Sequence, residues 1–118
     1  NCGTSPAPVG EGLKGTMQRL SNDIGFPYDW NSLEEYFDRI QDKLQFNIAT
    51  LIGHSTLRGG YLSNWHDVIV AEQKAMEAAT RQAMQEGALG FSTGLIYSPG
   101  CFAKTEEVLA EAAHRLCK

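Results

Sequence analysis

Apolar positions change their spacing several times along the chain, and each spacing predicts an element. Leu33, Tyr36, Phe37 and Ile40 recur every three or four residues and share one side of a helix over about 33–43, with Glu34, Asp38 and Arg39 pointing elsewhere. Ser32 precedes it and Glu35 stands three residues on, the spacing of a capping box. Asn47-Ile48-Ala49-Thr50-Leu51-Ile52-Gly53 is short, mostly apolar and does not alternate, which predicts a buried strand. His54 to Gly60, polar and rich in glycine, predicts a loop at its C-terminal end. The clearest helical period spans about 68–86. There Glu72, Met76, Ala79 and Ala83 form one stripe beside Ala75, Thr80 and Met84, and Gly87 closes the helix. Ala88 to Gly94 predicts a second short strand, and Leu95 to Lys104 a loop. Thr105 caps a last helix whose Glu106 and Glu107 suit the amide end of its dipole; Val108, Leu109, Ala112 and Ala113 form its apolar side, extended by Leu116.

Residues 1–28 show no such pattern. Gly3, Gly10, Gly12 and Gly15, with Pro6, Pro8 and Pro27, predict an irregular segment, either a flexible leader or an ordered loop wrapped around a site. The expected division is therefore this loop over 1–28 and βα units over 29–118. Helices alternating with buried-type strands through short links make a run of parallel βα units, an α/β fold. A closed barrel of such units takes about 250 residues, so 118 residues hold either a small open domain or a section of a larger one.

Composition narrows the choice of partners. A net charge of −4, from 14 acidic against 10 basic residues, gives no electrostatic reason to bind nucleic acid or an anionic membrane. No apolar run approaches the roughly 20 residues that span a bilayer. Three cysteines without paired ligand spacing favour a reduced, cytoplasmic setting. Asn1-Cys2-Gly3 carries neither an initiator Met nor a signal-peptide pattern, so the chain is expected to start inside a longer protein.

Taken one by one, the reactive side chains leave alternatives open. Cys2 can serve a metal as thiolate or be a small hydrophobe in a tail. His54, at a predicted strand end, suits chemistry or a structural bond. Arg58 has five donors with which to tie a loop or bridge a carboxylate. Tyr97 either lines a pocket above a strand or packs on Pro99. Ser92 and Thr93 lack the Gly-x-Ser-x-Gly elbow of a serine hydrolase. His66 and His114 have no companion at ligand spacing, and Asp67, Glu106 and Glu107 read as helix-end charges. Neither Gly10-Glu11-Gly12 nor Gly87-x-x-Gly90 is a dinucleotide fingerprint.

Several stretches, taken together and in this order, resemble one family. They are Asn1-Cys2-Gly3, Gly53-His54-Ser55-Thr56-Leu57-Arg58, Gly87-Ala88-Leu89-Gly90-Phe91-Ser92-Thr93-Gly94-Leu95-Ile96-Tyr97-Ser98-Pro99-Gly100 and Ala103-Lys104-Thr105-Glu106-Glu107. The likeness is to the D-aminoacylases, the N-acyl-D-amino-acid deacylases of the metal-dependent amidohydrolase superfamily. It implies a partial (β/α)8 TIM barrel, about two parallel βα units cut from the interior of the catalytic domain. It implies that Cys2 is a metal ligand, that zinc is the cofactor, that Tyr97 contacts substrate, and that His54 and Arg58 support the site from behind. No catalytic residue is expected in this chain, because the family's His-x-His pair lies before it and two further histidines and the catalytic aspartate lie after it. The implied reaction is hydrolysis of the amide of an N-acyl-D-amino acid, with zinc polarising the acyl carbonyl and lowering the pKa of water. The alternatives are cyclic-amide hydrolysis or amine deacetylation on the same scaffold, or a non-enzymatic α/β interaction domain. The isolated segment is expected to be inactive and to self-associate through its strand edges.

Overall fold

The structure, a computed structural model, describes residues 2–113; the readings of Asn1, His114, Leu116 and Cys117 lie outside the described residues. Two strands, β1 (Ile52–Gly53) and β2 (Phe91–Ser92), pair in parallel with Ile52 opposite Phe91 and Gly53 opposite Ser92. Around them stand α1 (Glu11–Ile24), α2 (Leu33–Ile40), α3 (His54–Tyr61), α4 (Val70–Gln85) and α5 (Thr105–Ala113), with 3-10 turns at Gln41–Lys43 and Gly100–Phe102. The α/β class and the parallel pairing agree with the sequence reading. Two strands form an open ribbon and do not by themselves close a barrel.

Both strands are shorter than the predicted 47–53 and 88–94. Pairing begins where Leu89 N donates to Thr50 O at 3.0 Å and Ile52 N to Gly90 O at 2.8 Å. Before that point Ile48 is exposed, and Leu51 and Leu89 are exposed beside the ladder. Each strand has a neighbour on one side only among the described residues, so a run composed for burial on both faces is buried only at Thr50, Ile52 and Gly53.

The first 28 residues are not irregular throughout, which corrects the expectation. Leu13, Met17, Leu20 and Ile24 fall at i, i+4, i+7 and i+11, a helical stripe that the glycines obscured. Gly25 ends α1 in the left-handed region at φ 66°. The expected loop after β1 is also a helix, α3, and its residues 54–60 are all buried. With every side covered, no amphipathic period marks it. Its glycines serve close approach: a Cβ on Gly60 would lie 2.8 Å from Gly10 Cα, so α3 and the start of α1 meet backbone to backbone.

Helices α2 and α4 follow their sequence signals. Glu35 N donates to Ser32 Oγ at 3.1 Å and Ser32 N to Glu35 Oε2 at 3.1 Å, closing the capping box of α2. α4 buries Met76, Ala79, Thr80, Ala83 and Met84, and Gly87 follows at φ 111°. These side chains meet Leu33, Ile52, Leu57 and Trp30 in the core. Trp30 Nε1 and the Tyr28 hydroxyl both donate to Pro6 O, at 3.0 and 2.8 Å, and the two rings stack 4.1 Å apart. That aromatic pair pins the N-terminal segment across the core. No described helix is long and apolar enough to cross a membrane.

Candidate functional site

The C-terminal ends of β1 and β2 converge on the loop that carries Cys2. Gly3 N donates to Ser92 Oγ at 3.2 Å, at the last paired residue of β2, and Ser55 N donates to Gly3 O at 2.7 Å from the first turn of α3. Gly53 N donates to Ser5 Oγ at 2.9 Å, and Ser5 N to Thr56 Oγ1 at 2.9 Å. Gly3 itself sits at φ 79°, a conformation in which a side chain would be strained. The loop is thus stitched to both strand ends, while Cys2 remains an exposed free thiol.

Directly beneath lies a buried ionic cluster. His54 Nε2 is 2.8 Å from Glu107 Oε1, and its Nδ1 is 3.2 Å from Thr93 Oγ1. A carboxylate only accepts, so Nε2 carries a proton and, in the neutral ring, Nδ1 accepts from the Thr93 hydroxyl. Arg58 Nη1 donates to Glu107 Oε2 and Nη2 to the Trp65 carbonyl. His54 and Arg58 are wholly buried. Burial works to raise the Glu107 pKa, but hydrogen bonds from His54 and Arg58 and the guanidinium charge outweigh it and hold the carboxyl below its ordinary value. One turn on, Glu111 is also fully buried; it accepts from Thr80 Oγ1 at 2.5 Å and from Gln73 Nε2 at 3.2 Å. Burial, with the nearby Glu77 and Glu107 charges, pushes its pKa up to about 7 despite the Thr80 hydroxyl.

This corrects the reading of α5. Glu107 is not a solvated helix-end charge, and the helix turns Glu107 and Glu111 inward while Leu109 stays exposed. The i,i+4 spacing of the two glutamates was visible in the sequence; the buried cation that draws Glu107 inward stands 49 residues away at Arg58.

The other candidates are dispersed. Tyr97 is 61% exposed in the loop after β2, and its carbonyl accepts from Cys101 N at 2.9 Å. His66 is exposed, with its ring 4.1 Å from that of Phe102. It borders a groove of about 380 Å³ between the starts of α4 and α5, lined by Val68, Ile69, Val70, Phe102 and Ala110. Among the described residues no three His, Cys, Asp or Glu side chains converge on a metal position. Zinc usually takes four ligands, so the described residues alone do not form its site, and the exposed Cys2 thiol offers chemistry suited to one of them.

No protein-family model matches the sequence. D-aminoacylase of Alcaligenes xylosoxydans xylosoxydans is 33% identical over 111 residues, 92% of this chain and 23% of that protein. A crystal structure of D-aminoacylase, described as defining a novel subset of amidohydrolases, superposes with a TM-score of 0.82 at 30% identity, over 98% of this chain and 25% of its own. N-acyl-D-glutamate deacylase from Bordetella bronchiseptica, solved with zinc and a phosphonate mimic of the tetrahedral intermediate, gives 0.80 at 33% identity, over 97% and 24%. The chain is therefore similar in sequence and fold to a segment of these deacylases, and it spans about a quarter of their length.

Proposed function

We propose that this chain is a section of the catalytic barrel of a zinc-dependent deacylase that hydrolyses the amide bond of N-acyl-D-amino acids, yielding a carboxylate and the free D-amino acid. The observation that carries this reading is the likeness of nearly the whole chain, at once in sequence and in backbone, to D-aminoacylase and N-acyl-D-glutamate deacylase. The placement of Cys2 supports it. Catalytic groups of parallel α/β barrels gather at the C-terminal ends of the strands, and that is where the exposed thiol is held.

In this reading Cys2 supplies one ligand to zinc, and the remaining ligands come from the rest of the full-length protein. The metal, when bound, supplies Lewis-acid chemistry, polarising the acyl carbonyl and making water acidic enough to act as nucleophile. The chain's own residues position and support. Ser92 and Ser55 fix the backbone of Gly3 beside the ligand. His54 and Arg58 anchor α3 to α5 through Glu107, so the strand end cannot drift away from its supporting helix. In the same reading Tyr97, exposed in the loop after β2, contacts substrate.

The test is turnover by the full-length protein of N-acetyl-D-amino acids, their L-enantiomers and hydantoins, before and after removal of zinc by a chelator. Zinc-dependent release of acetate from the D-series alone is expected. Preference for cyclic amides, or zinc-independent turnover, would overturn the assignment. The isolated 118-residue chain should turn over none of them.

A further inference from the structure

We infer that the C-terminal end of β2, through Ser92 and Gly94, is the element that sets the position of the Cys2 sulfur, so that these two residues are positioning residues for metal binding. The inference rests on the proposed ligand role of Cys2. Two independent contacts carry it. Ser92 Oγ accepts the Gly3 amide at 3.2 Å, which fixes the peptide that follows Cys2. Gly94 presents a bare Cα to the Cys2 peptide: an added Cβ would fall 2.9 Å from the Cys2 carbonyl carbon and nearer still to its oxygen. Both obstacles are backbone, which cannot swing aside as the end of a flexible side chain can. Gly3 lies equally close from the other side, since a Cβ there would sit 2.6 Å from Gly94 N. The Cys2-Gly3 step is therefore clamped against Ser92–Gly94 over a gap that admits no side chain.

A thiolate ligand needs this. Its Sγ is only two bonds from the backbone, so a displacement of the Cys2 peptide passes almost undiminished to the sulfur. Outer-sphere groups that orient a ligand are commonly worth 10–100-fold in metal affinity, and Ser92 and Gly94 act one bond network away from the sulfur. The hydroxyl at 92 and the missing side chain at 94 have separate effects: one removes a hydrogen bond when mutated, the other forces the peptide to move.

The experiment uses the full-length protein loaded with cobalt(II) in place of zinc, because a sulfur-to-cobalt charge-transfer band reports thiolate ligation independently of turnover. Wild type should show the band and Cys2→Ala should lack it. Gly94→Ala should weaken or shift the band and lower zinc affinity by about 10–100-fold. Ser92→Ala should lower it by about 10-fold, and Ser92→Thr, which keeps the hydroxyl, should restore it. Folded Ser92 and Gly94 variants, with wild-type band and zinc affinity, would overturn the inference while leaving Cys2 a ligand. Absence of the band from wild type would instead remove Cys2 itself from the metal site. If Gly94→Ala does not fold, the Ser92→Ala and Ser92→Thr pair decides, since one removes the hydroxyl and the other keeps it.

Discussion

Replacing Glu111 with glutamine should remove a pH dependence that the fold imposes on itself. Glu111 is fully buried, faces Thr80, Gln73, Glu77 and Glu107, and has a pKa pushed from 4.5 up to about 7. Between those two values the folded chain holds a proton that the unfolded chain has released, so stability falls as pH rises through this window. At 1.36 kcal/mol per pKa unit the full effect is about 3 kcal/mol, complete a little above pH 7. Glutamine is neutral at every pH, keeps an oxygen for the Thr80 hydroxyl and nearly preserves volume. Urea unfolding of both proteins at pH 5 and pH 8 measures the difference, and all other titrating groups cancel to first order. Glu107 does not confuse the comparison. Its folded pKa lies below the ordinary value, so its contribution is present above the unfolded pKa and is lost only at more acid pH. On going from pH 5 to pH 8, which spans most of this window, Glu111→Gln should gain about 2–3 kcal/mol relative to wild type. A difference that stays constant across this range would show that Glu111 titrates normally and that its burial has been misjudged.

Glu107→Ala would strand the buried Arg58 guanidinium, and a loss of about 3–5 kcal/mol is expected from chemical denaturation; a loss under 1 kcal/mol would mean water reaches the guanidinium. Gly60→Ala must push the backbone of Gly10 away and should cost about 1–3 kcal/mol in the same assay, whereas a neutral result would show that α1 yields freely. The isolated chain leaves Ile48, Leu51 and Leu89 exposed beside a ribbon of only two strands, so sedimentation should show mass rising above the monomer with concentration; a monomer at every concentration would contradict this.

Local signals were legible in the sequence wherever the physics is local. Ser32 and Glu35 named the start of α2, the small-residue stripe named α4, and Gly87 marked its end because a positive φ there requires no distant partner. The parallel pair followed from two apolar runs separated by that helix. Glycine misled where it had a second use. Gly59 and Gly60 read as loop residues, yet they let a buried helix touch the Leu13 side chain and the backbone of Gly10, and only the fold brings those positions together. α1 was missed for the same reason, its Leu13–Met17–Leu20–Ile24 stripe hidden behind Gly12 and Gly15. Glu107 was legible as a charge but not as a buried one, because the guanidinium and imidazole that hold it belong to α3. Cys2 could be singled out only through family resemblance; one thiol has no spacing to read, and its seat at the strand ends is set by Ser92, Ser55 and Ser5.

The assignment turns most directly on zinc stoichiometry in the full-length protein and in its Cys2→Ala variant, measured by elemental analysis on folded samples alongside turnover of an N-acetyl-D-amino acid. If Cys2 is a ligand at the reacting centre, the variant should lose most of its zinc and its turnover should fall with it. Zinc content and turnover equal to wild type would contradict the placement of this chain's only strand-end thiol among the described residues in the metal site.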